Sequence, residues 1–293
     1  MQPFRSASEC IPWLVVLIIE CLAIVILNII TIVVFLQRRS TYLIIHLAIV
    51  DLLAGAVSGP LAIENQLAVF CPLWKYRQMN IWSSYFLIVV MQLFPFSSFI
   101  NLTAISLERL HATFCPFRHR FVSKWVHRAI IIVIWLIPIV RGAAIIFLLK
   151  SGVAVMSTYL FLLFYAVSLF VICVSYILVV IKVRCSRHPQ FHSRSKRERK
   201  LTGTALIVSL VSLLCFLPAM IHAGWTLHSS TYFINVHIYM AVQVLFLANS
   251  LVNPIIYALR VPGFREGLLQ LVYRVPDLSN APANLPLRIL RRA

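Results

Sequence analysis

The sequence predicts an all-α membrane protein, a bundle of seven transmembrane helices with its N-terminus outside and a short amphipathic eighth helix. Three observations carry this prediction: composition, the number of long apolar stretches, and the placement of the basic residues. Of 293 residues 61% are hydrophobic and 12% charged, with a mean hydropathy of +0.93, whereas a soluble domain has about 25% charged residues. With eight acidic residues in the chain there is too little polar material to coat water-facing cores, so the bilayer is the solvent.

A transmembrane helix takes about 20 mainly apolar residues, set by about 30 Å of hydrocarbon and a rise of about 1.5 Å per residue. Seven stretches meet that length. Span one runs over 13–36 and holds Glu20 and Asn28; span two, 42–64, holds Asp51 at its middle. Span three, 82–111, ends in Glu108 and Arg109, and span four, 126–149, carries Trp135 and Arg141. Span five, 156–182, span six, 201–225, and span seven, 233–259, complete the set, with Pro218 and Pro254 removing backbone donors in the last two. Residues 1–12 form a short extracellular N-terminus, 13–259 the membrane domain, 260–274 the amphipathic helix and 275–293 a cytoplasmic tail. The helix after span seven has its apolar face in Phe264, Leu268, Leu271 and Val272, suited to lying on the inner leaflet. The tail is rich in Pro, Asn and Arg and reads as disordered.

Short cytoplasmic loops hold Lys and Arg, and exported ones do not. Outside the hydrophobic stretches, the basic residues after spans one, three, five and seven dominate: Arg38 and Arg39, the stretch from Arg109 to Arg128, the run from Lys182 to Lys200, and the tail from Arg260 onward. Arg5, Lys75, Arg77, Arg141 and Lys150 are the five on the other side, which leaves 21 of the 26 facing the cytoplasm. The net charge of +18 therefore reports orientation and attraction to the anionic inner leaflet, and no nucleic-acid partner is expected. Span one is too long for a signal-peptide core and lacks a positive flank, so it is expected to insert as an anchor. The one glycosylation triplet, at Asn101, falls inside span three and reads as chance.

A charge at mid-bilayer is expensive and is a functional hypothesis by default. Asp51 shares its depth with Asn28, Ser98, Asn249, Ser250 and Asn253. Oxygen donors of these types suit a sodium ion, with Asp51, Ser98, Asn249 and Asn253 as its ligands. They equally suit an ion-free network of hydrogen bonds between helices.

Several motifs fall in order on the seven spans: Asn28; Leu47 to Asp51; Ser98 and Glu108-Arg109, followed by Pro116-Phe117; Trp135; Tyr176; Cys215 to Pro218; and Asn253-Pro254 with Tyr257. Together they resemble the rhodopsin-like (class A) G protein-coupled receptors over nearly the whole chain. The resemblance implies that Arg109 contacts a heterotrimeric G protein, restrained meanwhile by Glu108 and by Glu198, the lone acid in a basic run. A solvated charge at a helix start is the other reading of Glu198. Phe117 resembles the loop residue that plugs a pocket on Gα. Tyr176, Phe216, Pro218, Asn253, Pro254 and Tyr257 fall where the family's activation residues stand.

The chain departs from the family in places. Ser84 stands near the usual third-span Cys, and no Cys lies between Cys115 and Cys173, so the usual bridge to the second outer loop is absent. Cys10 and Cys71 are the two that topology puts outside, either bridged to each other or free. Ser168 stands near the usual fifth-span proline. Missing both features is similar to the lipid, melanocortin and adenosine receptor branch. Phe216 replaces the usual Trp, and Leu110 the Tyr that usually follows Arg109.

Met91 stands where amine receptors carry their Asp, and Leu247 near the Schiff-base Lys of the retinal pigments, so neither ligand class is expected. Met91, Gln92, Tyr165, Phe216, Met220 and Gln243 are the candidate ligand residues. They are mostly apolar with a few neutral polar groups, which suits an extracellular ligand that is neutral and lipid-like, a small molecule or a peptide. Arg141 either anchors an anion or snorkels to the outer headgroups, and the second is the expectation. No cofactor is expected beyond the sodium ion. No Ser-His-Asp set, HExxH or phosphate loop points to an enzyme. The competing class is a seven-helix transporter or channel with Asp51 in its ion path, but no inverted repeats are visible.

Overall fold

The computed structural model describes residues 4, 6–36, 42–71, 80–185, 192–228, 235–261, 264, 265, 267 and 268, excepting the side chains of 66–68, 120, 124, 183, 192–202 and 228. Its elements are α1 (Ala7–Leu36), α2 (Tyr42–Leu53), a π-helical turn (Ala54–Ser58), α3 (Gly59–Phe70), α4 (Ile81–Phe114), α5 (Pro116–Arg120), α6 (Lys124–Lys150), α7 (Ala154–Cys185), α8 (His192–His228) and α9 (Val236–Arg260). Seven helical segments are long and apolar enough to cross a membrane. The segments α2, π turn and α3 together make span two; α1, α4, α6, α7, α8 and α9 are spans one, three, four, five, six and seven.

In a bilayer every backbone polar group must be satisfied within the segment, so the apolar stretches become helices. Their lipid faces stay apolar: Ile19, Phe86, Phe147, Phe170, Leu214 and Leu259 are all exposed. Small and polar residues are drawn inward, where Asn28, Asp51, Ser98, Asn101, Asn249 and Asn253 are at most 1% exposed. Span one starts at Ala7, six residues before the stretch read from hydropathy, and span three runs on to Phe114. The extra turns are amphipathic and pack against neighbours, so a hydropathy threshold stops short of them.

Span three lies at the centre and touches spans two, four, five, six and seven, whereas span one meets spans two and seven. The core divides in two. One cluster joins Phe96, Phe99, Leu102, Tyr165, Tyr176, Phe216 and Tyr257 across spans three, five, six and seven. The other gathers Phe4, Cys10, Leu17, Phe70, Cys71, Val236 and Met240 at the end of the bundle where Cys10 and Cys71 form a disulfide. There the Phe4 N–H donates to the Phe70 carbonyl at 3.0 Å, and the Trp13 indole N–H to His237 Nδ1 at 3.0 Å.

Span two is not one continuous α-helix. Between Asp51 and Pro60 it widens into the π turn, closed by the Gly59 N–H on the Ala54 carbonyl. Pro60 has no N–H to continue a tight ladder, and Gly55 and Gly59 sit directly against Ile24 and Cys21 of span one. The widened turn lets the Ser58 hydroxyl donate to the Val90 carbonyl of span three at 3.0 Å. Of the anticipated eighth helix, Phe264 packs its ring 5.5 Å from that of Phe35 and Gly267 abuts Val34; Leu271 and Val272 lie outside the described residues.

Candidate functional site

Three groups of residues lie along the bundle axis. At the Cys10–Cys71 end is a cavity of about 430 Å³ walled by six of the seven spans. Its hydrogen-bonding walls include Asn65, Gln92, Thr158, His222 and Gln243, its apolar walls Met91, Ile145, Phe161 and Phe246, and among the described residues no Asp, Glu, Lys or Arg lines it. Of the candidate ligand residues, Met91, Gln92 and Gln243 are among its walls. Tyr165, Phe216 and Met220 are not among its walls. Phe161 lines the cavity, and Tyr165, one turn deeper on the same face, packs its ring among Phe96, Phe99 and Phe216 with ring centroids 5.6, 4.6 and 5.3 Å away. Phe216 is 1% exposed and meets Phe99 at 4.8 Å and Phe246 at 5.3 Å. Met220 packs beside this aromatic cluster. These residues form the floor under the cavity.

Arg141 corrects the sequence reading. Instead of snorkelling to the headgroups it is 3% exposed within the bundle. Its Nη2 donates to Gln92 Oε1 at 2.8 Å, and its guanidinium lies 4.5 Å from the centroid of the Phe96 ring and 5.7 Å from that of Phe161. The cause is helical phase: 141, 145 and 149 are spaced by four and share one face, and Ile145 and Leu149 line the cavity. Arg141 is the innermost member of that column.

At mid-bundle Asp51 is wholly buried. Its Oδ1 accepts from Ser250 Oγ at 2.8 Å and its Oδ2 from Asn253 Nδ2 at 2.7 Å. Asn249 Nδ2 donates to Ser98 Oγ at 3.3 Å, and Asn28 Nδ2 to the Ser250 carbonyl at 3.1 Å. This joins spans one, two, three and seven. The Oδ1 atoms of Asn249 and Asn253 are buried without a hydrogen-bond partner, so the cluster holds free oxygen donors of the kind sodium takes.

A neighbouring network escaped the sequence reading. Asn101 Nδ2 pairs with His46 Nδ1 at 3.1 Å and the Leu43 carbonyl at 3.3 Å, and the His46 ring meets Trp135 edge-on at 5.8 Å. Its signal was the presence of His and Asn in apolar spans, which membrane cost makes conspicuous.

At the far end, Arg109 Nη2 and Glu108 Oε1 are 2.6 Å apart, both side chains about one-sixth exposed, 16% and 17%. Pro116 opens α5 at the first helical position, where its missing N–H is harmless, and Phe117 projects 84% exposed. Tyr176 Oη accepts from Ser209 Oγ at 3.3 Å. Tyr257 is buried and meets Phe35 edge-on at 5.6 Å. Pro218 and Pro254 lie inside their helices. The Glu198 side chain lies outside the described residues.

A seven-helix membrane bundle with a walled cavity at one end, a buried polar centre and a partly buried Arg-Glu pair at the other is the architecture of a membrane receptor. Residues 22–257 match the family described as 7 transmembrane receptor (rhodopsin family), and the chain belongs to it. It is a G protein-coupled receptor, a multi-pass protein of the plasma membrane rather than an enzyme. It is 26% identical over 265 residues to adenosine receptor A3 of Ovis aries, covering 80% of this chain and 79% of that one. Somatostatin receptor type 5 of Rattus norvegicus is 35% identical over 103 residues, 33% of this chain and 28% of that one. Somatostatin receptor type 3 of Homo sapiens is 30% identical over 114 residues, 36% and 27% of the two chains.

Proposed function

We propose that this receptor takes an extracellular ligand into the cavity at its Cys10–Cys71 end and activates a heterotrimeric G protein at its Arg109 end. The observation that carries the reading is the separation of two differently built ends along span three. From Gln92 to Arg109 is 17 residues, about 25 Å of helix, with the Asp51 cluster between them. In this orientation the Arg109 end faces the cytoplasm, the side to which the charge count assigns 21 of the 26 Lys and Arg.

The ligand the cavity favours is small or presents a small apolar end. Its walls offer neutral hydrogen-bonding groups among apolar ones, as ligand sites generally do, and Met91 rules out an amine held by a third-span carboxylate. A lipid-like body fits such walls, and so does a peptide's apolar terminus. The relatives' names, adenosine and somatostatin receptors, differ in ligand and do not narrow the choice.

At the Arg109 end, Glu108 holds the guanidinium in the resting state, and exposed Phe117 docks on Gα. In the centre, a sodium ion held by Asp51, Ser98, Asn249 and Asn253 stabilises the resting arrangement, since these oxygens are gathered and two of them lack partners. An ion path through Asp51 is disfavoured because the chain shows no inverted repeat of the kind transporters carry.

Guanine-nucleotide exchange on a panel of Gα subunits, in membranes carrying the chain and screened with ligands, tests this reading. The expected result is ligand-dependent exchange that Arg109→Ala removes and that Ala223→Trp, filling the cavity, blocks at the ligand step. Ion flux without exchange overturns it.

A further inference from the structure

Arg141 is a buried cation without a counter-ion. Among the described residues no carboxylate lies within ion-pair distance of it; the carboxylate in the ion pairs there is Glu108. Its one hydrogen bond goes to the neutral amide of Gln92, and its Nε has no partner. Tyr165 Oη is a second buried donor without a partner. Both residues pack on the same pair of rings. The guanidinium lies 4.5 and 5.7 Å from the centroids of Phe96 and Phe161, and the Tyr165 ring 5.6 and 4.5 Å from them.

Two of the groups touching Arg141, Gln92 and Phe161, are themselves cavity walls. The unpaired charge therefore sits one side chain behind a cavity that has no Asp, Glu, Lys or Arg in its walls among the described residues. A cation in a low-dielectric site is costly unless paired, and ring faces and one amide oxygen offset only part of that cost. An intramembrane ionisable group calls for a named partner.

We propose that the cavity's ligand supplies it: an apolar body ending in an oxyanion, a carboxylate or a phosphate, received by Arg141 and Tyr165. The proposal rests on the reading of the cavity as the ligand site and replaces the neutral ligand expected from sequence. An oxyanion offers several acceptors, enough for the guanidinium and the phenol together, and charge-assisted bonds of this kind are the strong ones. Gln92, at once wall and acceptor, marks the entry, since an anion arriving along it can replace the amide oxygen. An ammonium at the same place meets repulsion, and an alcohol leaves the charge unpaired.

The test uses the purified full chain in discs of zwitterionic lipid, with its melting temperature followed against decanoate, decyl phosphate, decanol and decylamine. A bound ligand raises that temperature by mass action. The expected result is a rise with decanoate or decyl phosphate and little or none with the alcohol and amine. A response to the carboxylate alone assigns the site to a free acid, and to the phosphate alone, to a lipid-type headgroup; both support the proposal. Gln92→Glu places a carboxylate beside Arg141 and should fold while weakening the anion at least about tenfold, because the charge is already paired. Tyr165→Phe should weaken the anion several-fold and leave the alcohol unchanged. Equal rises with acid and alcohol that survive Gln92→Glu overturn the proposal. If Ala223→Trp abolishes those rises, the cavity still stands as the ligand site; if they persist, that reading falls as well. Absence of any rise overturns the proposal, and ligand-dependent exchange blocked by Ala223→Trp then shows separately that the cavity reading survives.

Discussion

Asp51 and Arg109 are each held by neighbours that the chain brings from elsewhere, and each contact predicts a measurement. Asp51 accepts from two donors about two hundred residues away, at separations of 199 and 202. Asp51→Asn keeps the shape and removes the charge that a sodium ion needs. In the wild type, raising sodium at constant ionic strength should raise the melting temperature relative to potassium; in the mutant the two salts should give one curve. A wild-type protein indifferent to sodium reduces the cluster to a hydrogen-bond network. Arg109 is bound to its own neighbour, Glu108, at 2.6 Å. A contact made only in the resting state biases the equilibrium by its own free energy, on the order of 1 kcal/mol for a partly exposed pair, or about a fivefold ratio. Glu108→Gln should therefore raise ligand-independent exchange several-fold at matched surface expression. Exchange unchanged from wild type would show that this pair does not restrain Arg109.

Span two shows what the element scale adds. Hydropathy reads it as one rod from 42 to 64, whereas the structure divides it at the π turn Ala54–Ser58. The turn follows Asp51 closely, and Ser58 at its end and Asn65 beyond it line the cavity. π turns of this kind often mark functional positions. The division depends on close approach to span one: a Cβ at Gly55 would lie 2.6 Å from Ile24 Cγ2. Gly55→Ala should destabilise the receptor by about 1 to 3 kcal/mol through overpacking. Ile24→Ala in the same chain should recover part of that loss, because the clashing methyl is gone, and a double-mutant cycle on melting temperatures reads the coupling. Additive effects would place the strain elsewhere. The sequence carried the signal in Gly55, Gly59 and Pro60, but a helix with small residues is common in membranes, and only the neighbour makes the widening necessary.

For the whole molecule the Cys10–Cys71 bridge closes a separation of 61 residues and ties span one to the end of span two, beside the buried Phe4 and Phe70. Cys71→Ser should cost about 2 to 4 kcal/mol, a fall of about 5 to 10 °C in melting temperature, and non-reducing peptide mapping should recover the two cysteines joined. Free thiols at both positions in surface protein would remove the bridge. The sequence alone determined the seven spans and the order of the family's motifs, because in a bilayer composition and length decide where a helix crosses. It also singled out Asp51, since a mid-span carboxylate is costly wherever its neighbours lie. Only the tertiary structure decided which side chains line the cavity and which lie beneath it. Tyr165 and Phe216 look like pocket residues from their depth, yet one helical turn separates wall from floor, and the packing of spans three, five and six sets that boundary. Arg141 shows the same dependence: whether a long basic side chain turns outward to headgroups or inward to an amide and two aromatic rings depends on helix rotation. That rotation is fixed by contacts between residues such as Gln92 and Arg141, 49 positions apart, which no local pattern encodes.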